Sequence, residues 1–155
     1  MTIRIGINGF GRIGRTYLRA VLAGAADVEV VAVNDLTDAG TLATLLEWDS
    51  VAGHLDGVAA DGEDLEVAGR IIKVFSEPDP AKIPWGEVGA DVVIESTGFF
   101  VDRDKAAQHL KGGAKKIIVS APAKGDVPTF VLGVNDGQLD VSAADVFSNG
   151  SCTTN

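Results

Sequence analysis

Short apolar runs and helical spacing alternate at the start of the chain. Residues 3–8 and 28–33 are rich in β-branched and other apolar side chains, which predicts two buried strands. Between them the apolar positions have helical spacing, and Gly24 follows where a helix would stop. Those positions are Tyr17, Leu18, Val21 and Leu22. A strand, a helix and a strand within about 30 residues predict a βαβ unit, whose parallel crossover is right-handed.

The pattern changes after this unit. Residues 41–48 predict a second helix, with Leu42, Leu45 and Leu46 on one face. Residues 58–75 are rich in strand-forming side chains and are interrupted at Gly62 and Gly69, which predicts antiparallel strands joined by tight turns. The predicted pairing is 65–67 with 71–75.

The rest of the chain returns to alternating elements. Prolines at 78, 80 and 84 predict an irregular connection, and residues 105–110 predict a helix. Further strands are predicted at 91–95, 116–119, 129–133 and 144–147. The sequence therefore predicts an α/β protein with a doubly wound, mostly parallel sheet, into which an antiparallel β segment around 58–75 is inserted.

Composition narrows the class of protein. The 155 residues are 46% apolar and 23% charged, enough to bury the core of one domain. The formal net charge of −9 disfavours binding to nucleic acid or to anionic membranes. A single cysteine excludes an internal disulfide and a cysteine-rich zinc site, and no apolar run has membrane-spanning length. We expect a soluble, cytoplasmic protein without a metal site.

The turn after the first strand carries the clearest chemistry. Gly9, Gly11 and Gly14 form a G-x-G-x-x-G pattern between a predicted strand and a predicted helix. In such a turn the first glycine permits the tight bend, the second admits a pyrophosphate, and the third allows close helix–strand packing. Asp35 follows the second strand, where a carboxylate accepts ribose hydroxyls and repels a 2′-phosphate. The alternative is a purely structural turn, but the combination favours a Rossmann-type domain that binds NAD.

The single cysteine is a candidate nucleophile. Cys152 follows a predicted strand and lies in a Ser/Thr cluster typical of a helix start, where the helix dipole stabilises a thiolate. A lone cysteine is equally often a small buried apolar residue, so position alone leaves both interpretations open. His54 and His109 are the available bases, and each is interpreted as a satisfied or solvated histidine instead.

Several motifs in one order resemble phosphorylating glyceraldehyde-3-phosphate dehydrogenase. They are INGFGRIGR at 7–15, VND at 33–35, ESTGFF at 95–100, SAP at 120–122 and SNGSCTTN at 148–155. Weaker similarities are LLEWDS at 45–50 and VLGVN at 131–135. The resemblance covers the whole chain but only the first half of the family's usual length.

The resemblance implies a set of site residues. Cofactor contacts are implied for Gly9, Phe10, Gly11, Arg12, Ile13, Asn34, Asp35, Thr97, Gly98 and Ser120. Cys152 is implied as the nucleophile that forms a thioester, with Ser151 and Thr153 beside the substrate. The implied reaction is the NAD-dependent oxidation of glyceraldehyde 3-phosphate, with inorganic phosphate, in glycolysis. The complete enzyme is implied to be a homotetramer.

The chain departs from the family pattern at three places. Pro78 stands where an arginine beside the adenine is usual, and Gly150 stands where alanine is usual. The family's catalytic histidine, phosphate-binding residues and most of its subunit interface belong to the second half. We therefore interpret residues 1–150 as the NAD-binding domain and 151–155 as the start of the catalytic region. Alone, the chain is expected to be inactive, and bare apolar surface should make it self-associate or need a partner.

Two alternatives to this function stay open. One is a non-catalytic or split NAD-binding module that needs a complementing chain. The other is erythrose-4-phosphate dehydrogenase, because substrate length would be selected by the second half. Semialdehyde dehydrogenases are disfavoured, since they normally carry a different glycine turn and a proline near the cysteine.

Overall fold

A computed structural model describes residues 2–24, 27–151 and 153. The strands are β1 (Ile3–Asn8), β2 (Val28–Asn34), β3 (Trp48–Asp49), β4 (Gly53–His54), β5 (Val58–Asp61), β6 (Asp64–Val67), β7 (Arg70–Phe75), β8 (Val92–Glu95), β9 (Lys116–Val119) and β10 (Val146–Ser148). The α-helices are α1 (Arg12–Leu22), α2 (Ala39–Glu47) and α3 (Arg103–Ala106). Three 3-10 turns lie at Pro80–Lys82, Ala107–Gly112 and Asp136–Gln138.

Eight strands form one sheet in the order β10-β9-β8-β1-β2-β7-β6-β5. Every pairing from β10 to β7 is parallel, and β1 lies between β2 and β8. Because consecutive strands run outward from β1 in both directions, this is the order of a doubly wound dinucleotide-binding sheet. The predicted fold class is confirmed. The short hairpin of β3 and β4 forms a separate antiparallel pair.

The antiparallel segment predicted around 58–75 is present. β5 pairs with β6 and β6 pairs with β7, with Leu65 opposite Ile72. β7 changes partner along its length: Arg70 to Ile72 face β6, whereas Lys73 to Phe75 run parallel to β2. One strand therefore joins the inserted hairpin to the parallel sheet.

The two long helices form largely as predicted. α1 ends with a cap at Ala23, and Gly24 follows with φ +82°. α2 begins earlier than predicted, because the Asp38 side chain accepts a hydrogen bond from the Thr41 N–H and caps the helix. Of the three leucines predicted on one face, Leu42 and Leu46 are buried and Leu45 is 41% exposed, at the edge of that face.

Two other sequence-based assignments need correction. The helix predicted at 105–110 is the short α3 followed by the 3-10 turn, which ends at Gly113 with φ +99°. The strand predicted at 129–133 is not formed, and only Thr129 bridges to Ser148. The Asn135 side chain binds the N–H of Val131 and the carbonyl of Thr129, which folds this segment into a turn. These local bonds outweigh the strand preference of its β-branched residues.

Two apolar clusters cover the two faces of the sheet. The first contains Ile5, Ile7, Phe10, Leu18, Leu42 and Leu46, and the second contains Ile83, Trp85, Val93, Ala106 and Ile117. Gly6 faces the second cluster, where an added Cβ would lie 2.5 Å from the Trp85 ring. The glycine therefore leaves room for a fully buried tryptophan under the centre of the sheet.

Part of the first face is open. An apolar groove of about 440 Å³ lies beside β8, β9 and β10. Its walls include Ile13, Tyr17, Ile94, Ile118, Phe130 and Phe147. This is the kind of bare apolar surface that the sequence predicts. None of the helices in the described part of the chain has the length and apolar composition needed to cross a membrane.

Candidate cofactor-binding site

A cleft of about 360 Å³ opens at the carboxyl ends of β1, β2 and β8. Its walls are Asn8, Gly9, Gly11, Asn34, Asp35, Leu36, Glu77, Pro78, Ser96, Thr97, Phe99 and Phe100. The strand order reverses at β1, so the cleft lies at the topological switch point of the sheet. Open α/β sheets bind their ligands at this position.

A glycine suits each of the three positions in the turn for a different physical reason. Gly9 has φ +87°, and an added Cβ would lie 2.8 Å from the Thr97 nitrogen. A Cβ on Gly14 would lie 2.4 Å from the Gly9 carbonyl oxygen, so close packing of α1 requires glycine. A Cβ on Gly11 would meet no described atom within 4 Å and would occupy open space at the cleft. The open side of Gly11 fits the close approach of a pyrophosphate to the backbone.

The start of α1 supplies unpaired backbone donors. The helix begins at Arg12, and the first N–H groups of a helix have no intrahelical acceptor. The first turn contains no acidic side chain, so the partial positive charge of this end is available to an anion. Phe10 is fully buried, whereas the side chains of Arg12 and Ile13 are exposed. The Phe10 N–H donates to Asp35, whereas the N–H groups of Arg12 and Ile13 lie in the first turn of the helix, where the resemblance places a phosphate.

Arg15 supports the turn from below. Its Nη1 donates to the Phe10 carbonyl at 2.9 Å. Burial of the guanidinium lowers the pKa of Arg15 from its ordinary value, with the nearby Arg12 charge acting in the same direction. Arg15 therefore holds the glycine turn from the protein side.

Asp35 joins the end of β2 to the glycine turn. Its Oδ2 accepts from the Phe10 N–H at 2.9 Å, and its Oδ1 accepts from the Thr37 N–H at 3.0 Å. A carboxylate has about four lone-pair sites, so both oxygens keep capacity for ribose hydroxyls. Asp35 is half-buried and lines the cleft, where its charge opposes a 2′-phosphate.

Asn34 is on the cleft wall, but its amide group binds protein. The Nδ2 donates to the Asn8 Oδ1 at 2.8 Å and to the Glu77 carbonyl at 3.0 Å. The Oδ1 accepts from the Glu77 N–H at 2.9 Å. The side chain of Asn34 therefore holds the loop that carries Pro78.

The opposite wall is the turn after β8. Thr97 lines the cleft, its hydroxyl accepts from the Phe99 N–H at 3.1 Å, and it contacts the Glu95 carboxylate. Gly98 has φ +77°, which suits glycine in this turn. Ser120 is outside the cleft and lines the adjoining apolar groove, with its Oγ donating to the Glu95 carbonyl at 3.1 Å. Of the ten implied cofactor residues, five line the cleft (Gly9, Gly11, Asn34, Asp35 and Thr97), whereas Ile13 and Ser120 line the adjoining groove.

The predicted nucleophile, Cys152, lies outside the described residues. Its neighbours Ser151 and Thr153 follow the carboxyl end of β10, with 3.2 Å between their hydroxyl oxygens. Gly150 has φ +81°, a conformation that favours glycine over the alanine usual at this position. The segment therefore starts at the same edge of the sheet as the cleft.

The two histidines have partners already. His109 is fully buried: the Trp85 indole N–H donates to its Nδ1 at 3.0 Å, and its Nε2 is 2.9 Å from Glu95 Oε2. His54 lies in the exposed hairpin, where it pairs with Glu47.

The sequence analysis did not identify Asn8 and Glu95 as candidate site residues. Each is a polar residue at the end of a predicted buried strand, and this position was a signal for both. Within the described residues, no three His, Cys, Asp or Glu side chains are placed to hold a metal ion.

Comparison with known proteins agrees with this geometry. A family model described as the glyceraldehyde 3-phosphate dehydrogenase NAD-binding domain matches residues 3–103. A glyceraldehyde-3-phosphate dehydrogenase of Streptomyces coelicolor is 55% identical over the whole chain, and those of Bacillus subtilis and Geobacillus stearothermophilus are 56% identical. The chain covers 46% of the length of each of these relatives. The match in family, together with the cleft, identifies NAD as the cofactor. The chain belongs to the glyceraldehyde 3-phosphate dehydrogenase family, within which it comprises the NAD-binding part.

Proposed function

We propose that this chain is the cofactor-binding half of an NAD-dependent phosphorylating glyceraldehyde-3-phosphate dehydrogenase. The proposed reaction oxidises glyceraldehyde 3-phosphate in the presence of inorganic phosphate. Family membership and identity over the full chain support it. The observation that carries it is Gly11, because its open side faces the cleft and no described residue needs a glycine there.

Three parts of the chain would hold NAD. The N–H groups of Arg12 and Ile13 would bind the pyrophosphate at the positive end of α1, and Asp35 would accept the adenosine ribose hydroxyls. Thr97, Gly98 and Ser120 would line the path towards the reacting ring. When bound, NAD supplies the acceptor for the hydride removed from the aldehyde carbon.

Cys152 is the proposed nucleophile. Its thiolate would add to the aldehyde carbon, and after oxidation the acyl group would leave the sulfur as an acyl phosphate when inorganic phosphate attacks. The backbone N–H of Cys152 would stabilise the oxyanion, with Ser151 and Thr153 beside the substrate. The full reaction also needs a base. Since His109 contacts Glu95 and His54 contacts Glu47, the proposal assigns that role to neither histidine.

Cofactor binding tests the proposal through two matched glycine variants. We expect the 155-residue chain to bind NAD in isothermal titration calorimetry, more tightly than NADP. Gly11→Ala is expected to weaken NAD binding by about tenfold or more while leaving the thermal midpoint unchanged, because its methyl group meets only the space of the ligand.

Gly14→Ala is the control for packing. Its methyl group would overlap the Gly9 carbonyl, so this variant is expected to lower the thermal midpoint. A wild-type chain that does not bind NAD, or a Gly11→Ala variant that binds as tightly as wild type, would contradict the proposed site.

A further inference from the structure

A connected group of buried polar side chains lies beneath the cleft. We call Glu95, His109, Trp85, Asn8 and Asn34 the Glu95 network; each of the five side chains is at most 5% exposed. Glu95 is the one carboxylate that is buried among the described residues. Removing a carboxylate from water is costly unless several donors replace the water. The position of Glu95 therefore needs a physical reason.

The network replaces that water with protein donors. One carboxylate oxygen of Glu95, Oε2, is 2.6 Å from Asn8 Nδ2 and 2.9 Å from His109 Nε2. The other, Oε1, accepts from the Thr97 N–H at 2.8 Å and from the Thr97 hydroxyl. Beyond His109, the Trp85 indole contacts Nδ1 at 3.0 Å.

The donors fix the positions of the protons. An indole N–H can only donate, so Nδ1 of His109 must accept, and a neutral imidazole then carries its proton on Nε2. That proton points to Glu95 Oε2, which also accepts from Asn8 Nδ2. Asn8 must turn its NH2 group to Glu95, so its oxygen is free to accept from Asn34. The hydrogen bonds of the network therefore converge on Glu95, from Trp85 through His109 on one side and from Asn34 through Asn8 on the other.

The network connects the two walls of the cleft. On one side Glu95 holds the N–H and hydroxyl of Thr97, and Thr97 in turn holds the Phe99 N–H. On the other side Asn34 holds both the N–H and the carbonyl of Glu77. Asn8 joins the two halves from the end of the central strand.

We propose that Glu95 and His109 are positioning residues that fix the distance between the two walls of the cleft for NAD. Glu95 orients the 97–99 turn through its hydrogen bonds to Thr97. His109 fixes the orientation of the Glu95 carboxylate through the contact between its Nε2 and Oε2. Neither residue contacts the ligand in this role; each acts through Thr97 on one wall and Glu77 on the other. The inference rests on the proposed function for the identity of the ligand, whereas the positioning itself can be measured without ligand.

Hydrogen exchange of backbone amides tests the positioning in the absence of NAD. In Glu95→Gln the new NH2 group faces a donor in either orientation, and because Asn8 and Asn34 link Glu95 to Glu77, both walls are expected to lose support. We expect the Thr97 and Glu77 amides to exchange about tenfold faster than in wild type, relative to Leu65 in the antiparallel segment. Equal changes at all three amides, or no change, would overturn the inference.

Two further variants separate the roles within the network. Thr97→Val keeps the Glu95 carboxylate and removes only the Thr97 hydroxyl. The Phe99 amide should therefore exchange faster, while the exchange rate of the Glu77 amide should stay as in wild type. This variant also tests the proposal if Glu95→Gln does not fold. His109→Gln retains a donor for Glu95, whereas His109→Phe removes it. Exchange at Thr97 should therefore be closer to wild type in His109→Gln than in His109→Phe, and equal loss in both would contradict the role of His109.

NAD affinity is the second readout. The dissociation constant is expected to rise about tenfold in Glu95→Gln and to stay unchanged in His54→Gln, a control at the exposed hairpin. Loosened walls with unchanged affinity would overturn the link to NAD. If the wild-type chain does not bind NAD, the proposed function fails, and the exchange rates still decide whether Glu95 positions the walls.

Discussion

Asp35 has two partners in the protein and space for a third. Its two oxygens bind the N–H groups of Phe10 and Thr37, which fixes the carboxylate at the edge of the cleft. The same charge that attracts ribose hydroxyls repels an additional phosphate, so a single residue affects both affinity and the choice between NAD and NADP.

Asp35→Asn tests whether the charge of this residue affects both the affinity for NAD and the choice between NAD and NADP. The amide keeps one acceptor for the turn but loses the charge, so we expect NAD binding to weaken by roughly 1.5–3 kcal/mol, the range for hydrogen bonds to charged groups. NADP binding should weaken less, because a repulsion is lost at the same time. Titration calorimetry with both nucleotides gives the ratio, and Asp38→Asn is the matched control in the same loop. An unchanged ratio of affinities would refute the assignment of Asp35.

Residue types and spacing predicted part of the site. The three glycines and Asp35 were predictable because a turn and a following acid are close together in sequence. The contact between Glu95 and Asn8 was not, since these two residues are 87 positions apart in the sequence. The buried contacts of Asn34 and His109 are of the same kind.

At the scale of elements, the main strands and helices were predictable from periodicity. The antiparallel pairing of β6 and β7 followed from a short loop, whereas the second pairing of β7 with β2 depends on the whole sheet. The strand predicted at 129–133 failed because the Asn135 side chain competes for its backbone groups. Periodicity alone contains no information on such side-chain bonds.

The N-terminus of α2 gives a prediction at this scale. The Thr41 N–H and hydroxyl bind the Asp38 carboxylate and lower the pKa of Asp38 from its ordinary value of 3.8. The charged form is therefore preferred in the folded state, so its stabilisation is complete above the ordinary pKa and is lost as the pH falls towards the lowered folded value. Asp38→Ala should lower the thermal midpoint at neutral pH.

The pH dependence provides the check on the cap. The difference in midpoint between wild type and Asp38→Ala should decrease as the pH falls below 3.8, and circular dichroism can follow both proteins. Asp38→Asn keeps an acceptor without a titrating group, so its difference from wild type should be smaller at neutral pH. A difference that does not change with pH would show that the carboxylate charge is not what stabilises the cap.

On the scale of the whole molecule, the described residues form a complete cofactor cleft. They also present an open apolar groove beside β10. The chain spans 46% of the length of the relatives named above. Among the described residues, His109 contacts Glu95 and His54 contacts Glu47.

The contacts of the two histidines lead us to predict NAD binding without turnover. We expect the purified 155-residue chain to bind NAD and to form no NADH from glyceraldehyde 3-phosphate and inorganic phosphate, measured by absorbance. Both histidines are engaged, and the phosphate-binding residues implied by the family belong to its second half. Phosphate-dependent NADH formation that Cys152→Ser abolishes would be the contrary result.

The central position of β1 has a consequence for the order of folding. Asn8 meets Asn34 after 26 residues of chain but meets Glu95 only after 87. Closing the longer loop costs more conformational entropy, so we expect pairing of β1 with β2 to precede pairing with β8. During synthesis from the amino terminus, the glycine turn and Asp35 are present before the wall that faces them. Competence to bind NAD is thus expected to emerge late, after β8 has paired with β1.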